Sequence, residues 1–544
     1  MPFFRLFRLF DLFRVCLCMG TVVIAIGSVG PVSAAELLTP QQAAATIDGF
    51  LESHWHANQI QPAAVTDDAT FLRRLTLDLA GRIPTVGELE QFLSDPSADK
   101  RAKAIERLVS GPEFPLHLGT VLDPMIQGRY AGDAEFVDYL RRGLRDEQSW
   151  SELFRELMLG PWETDAVKPA MRFLDKRVKA SDVLAVDTAR AFFGVDISCA
   201  KCHDHPLVDD WKQEHFYGMV AFFHRTTGAK GKISEKDDGE LMFLATNGEQ
   251  QVARLMFLSG DVIDEPTTAA ANSSADKTPK FSRREQLVRV ALEQRAFFSR
   301  AIVNQFWEYL FGRGLVDPVD QMHSGNPPAV PGLLEWLAED FAASGYHLRR
   351  LMIALVSTRA YQLSSRWEQD SPVPQPELFA AAALRPLTPQ QLAFSLVLAT
   401  GNGKLAEPDE VQSRVERYAG VAGLARIEQY LTIEKRASGL LASLDSRRRD
   451  YQTSVAEALF LSNNPAPWGL ISGGGDRFAV QLAEIPDRNQ LVAAAIRTIL
   501  SRESGAEELN RLSAWLAGQG DDRLQAAEQL VWVLVTSAEF RFNH

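Results

Sequence analysis

Cysteine is nearly missing from this chain: there are four in 544 residues, and two of them, Cys16 and Cys18, lie close to the start. A long exported chain left with two cysteines does not rest on a disulfide framework. Positive charge is also short. Lys and Arg number 57 against 70 Asp and Glu, a net charge of −13. That balance argues against nucleic-acid binding, which calls for a basic face, and suits a soluble surface that does not self-associate. Beyond the N-terminal segment no apolar run is long enough to span a bilayer. The chain has no Gly-rich phosphate loop, no G-x-S-x-G and no H-E-x-x-H. Nucleotide-binding, hydrolase and zinc-protease readings therefore lose their usual support.

What is present begins with an address. Arg5, Arg8 and Arg14 form a positive region, Val15–Gly27 is apolar, and Val32-Ser33-Ala34-Ala35 offers a small-residue cleavage site. This predicts a signal peptide over residues 1–35 and a mature chain starting at Ala35 or Glu36. The protein is then exported, periplasmic or extracellular, with no stable transmembrane segment after processing; an uncleaved N-terminal anchor is the alternative. Cys16 and Cys18 leave with the signal. No cysteine follows the cleavage site directly, as a lipobox would need.

From Thr39 the pattern is helical. Thr39-Pro40-Gln41-Gln42 reads as an N-cap with proline at the first helical position, and Thr388-Pro389-Gln390-Gln391 repeats that signature. Phe71, Leu72, Leu75 and Leu79 recur at helical spacing; Gly81 ends that helix and Thr85 caps the next. Further helices are predicted over Val86–Ser94, Lys100–Ser110, Asp133–Asp146, Ser151–Leu159 and Val183–Phe193, the last closed by Gly194. The texture changes at Gly228. Leu241–Leu244 and Val252–Leu258 around Asn247-Gly248 read as a hairpin with a longer loop, and residues 264–280 as a linker. Arg283–Phe311 is the longest helical pattern, closed by Gly312-Arg313-Gly314. The expectation is a mainly α fold, with two helical domains at 36–227 and 283–544 and a small β-rich insertion with its linker at 228–282.

Both remaining cysteines fall in Ser198-Cys199-Ala200-Lys201-Cys202-His203-Asp204-His205-Pro206. Two thiols at i and i+3 followed at once by histidine is the pattern of c-type haem attachment. Cys199 and Cys202 would form thioethers and His203 the axial iron ligand. The same residues could furnish part of a site for zinc or another transition metal, with His203 and His205 as ligands, although four donors in so short a run would crowd. They could also close a structural or redox disulfide. The downstream Gly-Pro and loop methionine usual in cytochromes c are absent. The remaining candidates each have a plainer reading: His54 and His56 as metal ligands or a solvated helix end, His215 and Met219 as a distal iron ligand or a packed face. Trp211 with Phe216–Phe223 could be a haem wall or ordinary core. Asp317, Asp320 and His323 could be a catalytic cluster or a turn.

Several segments together resemble the exported planctomycete proteins built from two paired domains of unknown function, often fused to cytochrome-c-like modules. The first domain is matched by Phe71–Thr85, Ala189–Val195, Cys199–Pro206, and Trp211 with Phe216–Phe223. The second is matched by Ala301–Trp307, Leu310–Pro318, Leu333–Ala338, Tyr361-Gln362, Arg385-Pro386-Leu387, Ala458–Pro465 and Glu539–His544. Gln305 and Val330 depart from the arginine and histidine that members usually or often carry there. Three functions stay open. The first is a c-type haem or metal-binding redox protein with a redox partner protein. The second is an extracytoplasmic binding or scaffold protein with a structural C-x-x-C disulfide. The third is an enzyme on extracellular polymers, for which no acid–base pair stands out.

Overall fold

The computed structural model describes residues 37–205, 208–229, 231–265, 281–402, 411–418, 422–444, 464–472 and 475–544. The expected signal peptide and its cleavage site, Pro206, most of the expected linker, and the 458–463 part of the second-domain motif lie outside the described residues. The fold is mainly α, and among the described residues strands occur only in small two-stranded antiparallel ladders. Among the described residues no helix is long and apolar enough to cross a membrane.

Local chemistry sets the helix ends. Thr39, Thr85, Ser149 and Thr388 each accept from the N3 backbone amide, while the N3 Gln or Glu side chain accepts from the cap's own amide. These reciprocal pairs satisfy two otherwise orphaned donors. Gly81, Gly194 and Gly312 close their helices at φ of 71°, 67° and 80°, a region costly for a residue with a Cβ.

Two expectations are corrected. Arg283–Phe311 is two helices, Arg283–Glu293 and Arg295–Phe311, broken at Gln294 with φ −85° and ψ 60°. At the break Gln294 Nε2 donates to Asp261 Oδ2 at 2.7 Å, which ties it to the β-rich insertion. The expected hairpin is two. Met242–Leu244 pairs with Gln250–Val252, and Leu255–Met256 pairs with Val262–Ile263. Residues 38–544 form one compact unit, and its apolar interior does not divide at the linker. One core runs from Ile47 to Ala380 and takes helices from both sides of the insertion; the other gathers Leu387 to Phe540 with Leu77, Ile83 and Leu116.

The interior also holds arginines. Arg73, Arg74, Arg82, Arg141, Arg177, Arg283 and Arg284 are buried, and each is fastened to carbonyl or carboxylate oxygens, as a buried guanidinium requires. Arg82 bonds both Glu88 and Glu113, and Arg141 bonds Glu434 at 2.5 Å. The densest knot is at Asp78, which is 0% exposed. Its carboxylate accepts from Arg385 at 2.7 and 3.0 Å, from the Tyr361 hydroxyl at 2.8 Å and from Asn543 Nδ2 at 2.9 Å. Next to it, Arg74 donates to the carbonyls of Tyr361, Leu363 and His544. The short ladder of Arg385–Pro386 with Phe542–Asn543 brings these donors in. Four of the segments that carry the family resemblance thus meet at one carboxylate.

His117 lies beside this knot. The single Tyr309 hydroxyl proton goes to the Asp78 backbone carbonyl at 2.9 Å, so His117 Nε2, 2.9 Å from that hydroxyl, is the donor and Nδ1 bears the lone pair. A Cβ on Gly81 would come within 2.4 Å of Nδ1. Burial, helped by the charge of Arg141, pushes the imidazole down to about 3. A histidine lowered in the folded state takes its proton first in the unfolded chain. Its contribution to stability is whole above about pH 6.5 and is lost as pH falls toward 3. By pH 5 the loss is about 2 kcal/mol. His117→Gln, whose amide can still donate to Tyr309, is expected to lack that slope. Urea midpoints at pH 7.5 and 5 measure it, and equal slopes in the two proteins would count against a neutral buried imidazole.

Candidate functional site

The site is built at the end of the Ser181–Phe193 helix. Gly194 turns the chain out, and the next residues run against the loop that follows the Arg295–Phe311 helix. Val195 bridges Gln321, Asp196 N donates to Asp320 O at 2.7 Å, and Met322 N donates to Gly194 O at 3.0 Å. A Cβ on Gly194 would stand 2.8 Å from Met322 Sδ, so this position needs glycine both for its φ and for the close approach.

Asp196 then starts the motif. Its carboxylate accepts from Ser198 N at 2.9 Å and pairs with Arg190 at 2.6 Å, which fixes the entry to a 3₁₀ turn over Ser198–Lys201. Ala200 in that turn is 0% exposed and plugs into the core. Its burial turns the flanking residues outward. Cys199 and Cys202 are both free thiols and both exposed. Cys199 lies in the turn and Cys202 follows it directly, three residues on. Lys201 is held by Asp182 at 2.7 Å, and its carbonyl accepts from Tyr217 OH at 3.3 Å.

His203 is exposed. Its Nδ1 lies 2.6 Å from the Asp204 carbonyl oxygen. A carbonyl only accepts, so Nδ1 carries the proton, and in the neutral ring Nε2 carries the lone pair. A second bond that fixes tautomer and orientation in this way is the usual support of a ligating histidine. The Asp204 carboxylate accepts from Gln213 N at 2.9 Å at the start of the Gln213–His224 helix. His205 N donates to Trp211 O at 2.8 Å. Gln213 completes the support: its side chain donates to Leu244 O at 3.1 Å and accepts from Thr246 N at 3.1 Å, which clamps the hairpin under the turn.

The donor set fits a haem c. Two accessible thiols lie three residues apart, and the imidazole that follows has its Nε2 available. For a bare metal ion the fit is poorer. Among the described residues no three His, Cys, Asp or Glu side chains converge to hold one, so Cys199, Cys202, His203 and His205 do not form a ready cage.

The other sequence candidates go elsewhere. His54 and His56 sit in the last turn of the Pro40–Ala57 helix, around a buried Trp55 whose Nε1 donates to Leu378 O. Met219 is 0% exposed within the core. His215 Nδ1 accepts from Lys212 N at 3.1 Å as part of a helix cap, and burial lowers its proton affinity. Asp317, Asp320 and His323 do not gather: Asp317 pairs with Arg313 at 3.5 Å and Asp320 with Arg190 at 3.8 Å. His323 instead faces His205, with ring centroids 6.3 Å apart. The loop 317–326 as a wall of this site was not foreseen from sequence; the one signal was its place within and just after the Leu310–Pro318 segment.

Two family models match the chain. One, PSCyt2, described as a protein of unknown function (DUF1549), matches residues 46–228. The other, PSD1, also described as a protein of unknown function (DUF1553), matches residues 283–516. No curated protein and no solved structure matches.

Proposed function

Since the chain belongs to the family built from these two paired domains of unknown function, we propose that it is an exported c-type haem protein with a redox role. The observation that carries the reading is the donor arrangement at and just after the Ser198–Lys201 turn: two free, exposed thiols three residues apart, then a histidine whose Nδ1 is already engaged. A structural zinc ion asks for four protein donors, and no group of even three converges among the described residues. A porphyrin brings its own four nitrogens and asks the protein for one or two more.

In this reading Cys199 and Cys202 each add S–H across one vinyl group. One S–C and one C–H bond form, one S–H and one C=C π bond break, and no net electrons are exchanged. His203 supplies the proximal nitrogen through Nε2. When bound, the haem supplies a one-electron couple that a redox partner protein can fill or empty. Export, read from Arg5 to Ala35, supports the same conclusion, because c-type haem is attached outside the bacterial cytoplasm.

A second reading is a C-x-x-C disulfide that staples the turn. The three-residue spacing of two exposed thiols suits it too, but it leaves the tautomer-fixed His203 without a task.

Mass spectrometry of the mature protein from its native envelope separates the two. The expected mass is that of a chain beginning at Ala35 or Glu36 plus one haem, and Cys199→Ser with Cys202→Ser should remove the addition. A haem-free chain lighter by two hydrogens would support the disulfide. A haem-free chain with both thiols reduced would overturn both.

A further inference from the structure

We infer that a cleft between the Glu113–Gln127 and Ala134–Arg145 helices and the start of the Leu348–Ser357 helix binds a small organic carboxylate with an apolar body. None of its lining residues belongs to the Cys199–His203 turn, and the inference does not depend on the haem reading.

The cleft has a volume of about 240 Å³. Phe114 and Leu144 line it from the first of the paired domains, Leu348 and Ile353 from the second, and all four are buried. A concave space with apolar walls and a few polar groups, where two domains meet, is the common form of a small-molecule site. The size suits a ligand smaller than a nucleotide cofactor.

The polar groups decide the ligand's charge. Arg350 is already committed: its guanidinium donates to Asp340 Oδ1 at 2.9 Å and to Leu38 O at 2.7 Å. Arg349 is not. It faces Glu147 at 3.6 Å, and the Glu147 side chain is 64% exposed. That distance is too long for a hydrogen bond, and an ion pair so open to water is weak. Arg349 Nε is shut away from solvent and has no hydrogen-bond partner. The guanidinium stands over the Phe114 ring, with Cζ 5.9 Å from the centroid. Nε and the neighbouring terminal nitrogen form one edge of the planar group, and such an edge takes a carboxylate in two parallel bonds. The backbone favours the same charge. His347 to Arg350, at the opening of their helix, all line the cleft. That helix has no acidic residue in its first turn and no cap bond from the His347 side chain, so its leading amides keep the partial positive charge that attracts an anion. Glu147 is the one carboxylate in the lining and opposes the ligand; its exposure leaves it room to turn into water.

Calorimetric titration of the full-length protein with 3-phenylpropionate tests this, with 3-phenylpropionamide and acetate as controls. 3-Phenylpropionate is expected to bind saturably at one site. The amide lacks the charge and acetate lacks the apolar body, and each should bind about tenfold more weakly or worse. Arg349→Gln should weaken binding of the acid by about tenfold or more and leave that of the amide unchanged. Glu147→Gln should tighten binding of the acid severalfold, a change in the opposite direction that general loss of structure would not give. If Arg349→Gln does not fold, Arg349→Lys, which keeps the charge and loses the planar fork, is read instead and should give a smaller loss. Absence of saturable binding to the wild type would overturn the assignment. So would amide or acetate bound as tightly as 3-phenylpropionate, or an Arg349 variant that binds the acid like the wild type.

Discussion

Asp78→Ala is expected to lower folding stability by about 3–5 kcal/mol, the usual range when one partner of a buried ion pair is removed. The variant would leave the Arg385 guanidinium, the Tyr361 hydroxyl and the Asn543 amide facing a cavity with no acceptor. Most of the loss comes from those stranded donors rather than from the attraction itself. Two consequences follow for measurement. In urea, the unfolding midpoint should fall with little change in slope. Replacing both Asp78 and Arg385 with leucine should cost less than the two single changes added together, because no unpaired charge then remains inside. A single Asp78→Ala variant within about 1 kcal/mol of wild type, well below the range for a buried pair, would show that the knot does not hold the fold as argued.

The second large effect separates the two histidines of the motif. His203→Ala is expected to abolish normal axial ligation in the haem-loaded protein, since Nε2 of that ring is the nitrogen made available by the bond from Nδ1 to the Asp204 carbonyl. His205→Ala should leave the absorption spectrum nearly intact, because the residue stands two positions past the ligand and its backbone bond to Trp211 is one that any residue can make. Optical spectra of the two variants, compared at equal covalent haem content, decide this. Equal disturbance by both changes, with a colourless metal bound in place of haem, would move the site to a Cys/His metal cluster.

What the sequence made legible was local. The caps at Thr39, Thr85 and Thr388 could be read because both partners of each box lie within four residues, and the glycine stops because a positive φ is a property of one residue. The Cys199–His203 motif is contiguous, so its donor set was visible at once. What could not be read was set by residues far away. The break at Gln294 comes with a bond to Asp261, 33 positions earlier, and nothing in the 283–311 pattern marks it. The 317–326 loop joins the motif through Asp210 and Ser324, 114 residues apart. Arg73, Arg74 and Asp78 have the periodicity of a solvated helix face. They are instead buried, because the second half of the chain covers that face and brings the acceptors and donors with it. The Glu113–Gln127 helix was hidden for a different reason. Its prolines look like breakers, but Pro115 falls in the first turn, where no amide is missed, and only Pro124 lies inside.

The bond between Asp78 and Asn543 joins residues 465 positions apart, and that separation has a meaning in time. At ordinary synthesis rates it corresponds to roughly 25–90 s between the appearance of one partner and the other. Through that interval the Asp68–Ala80 helix exists without the groups that make its burial tolerable, and its charged residues favour water. The helix therefore cannot complete its buried contacts until the last strand has arrived. A version rearranged so that Phe542–Asn543 is made just before Asp68 would remove that wait for Asn543 and leave the one for Arg385, 307 positions on.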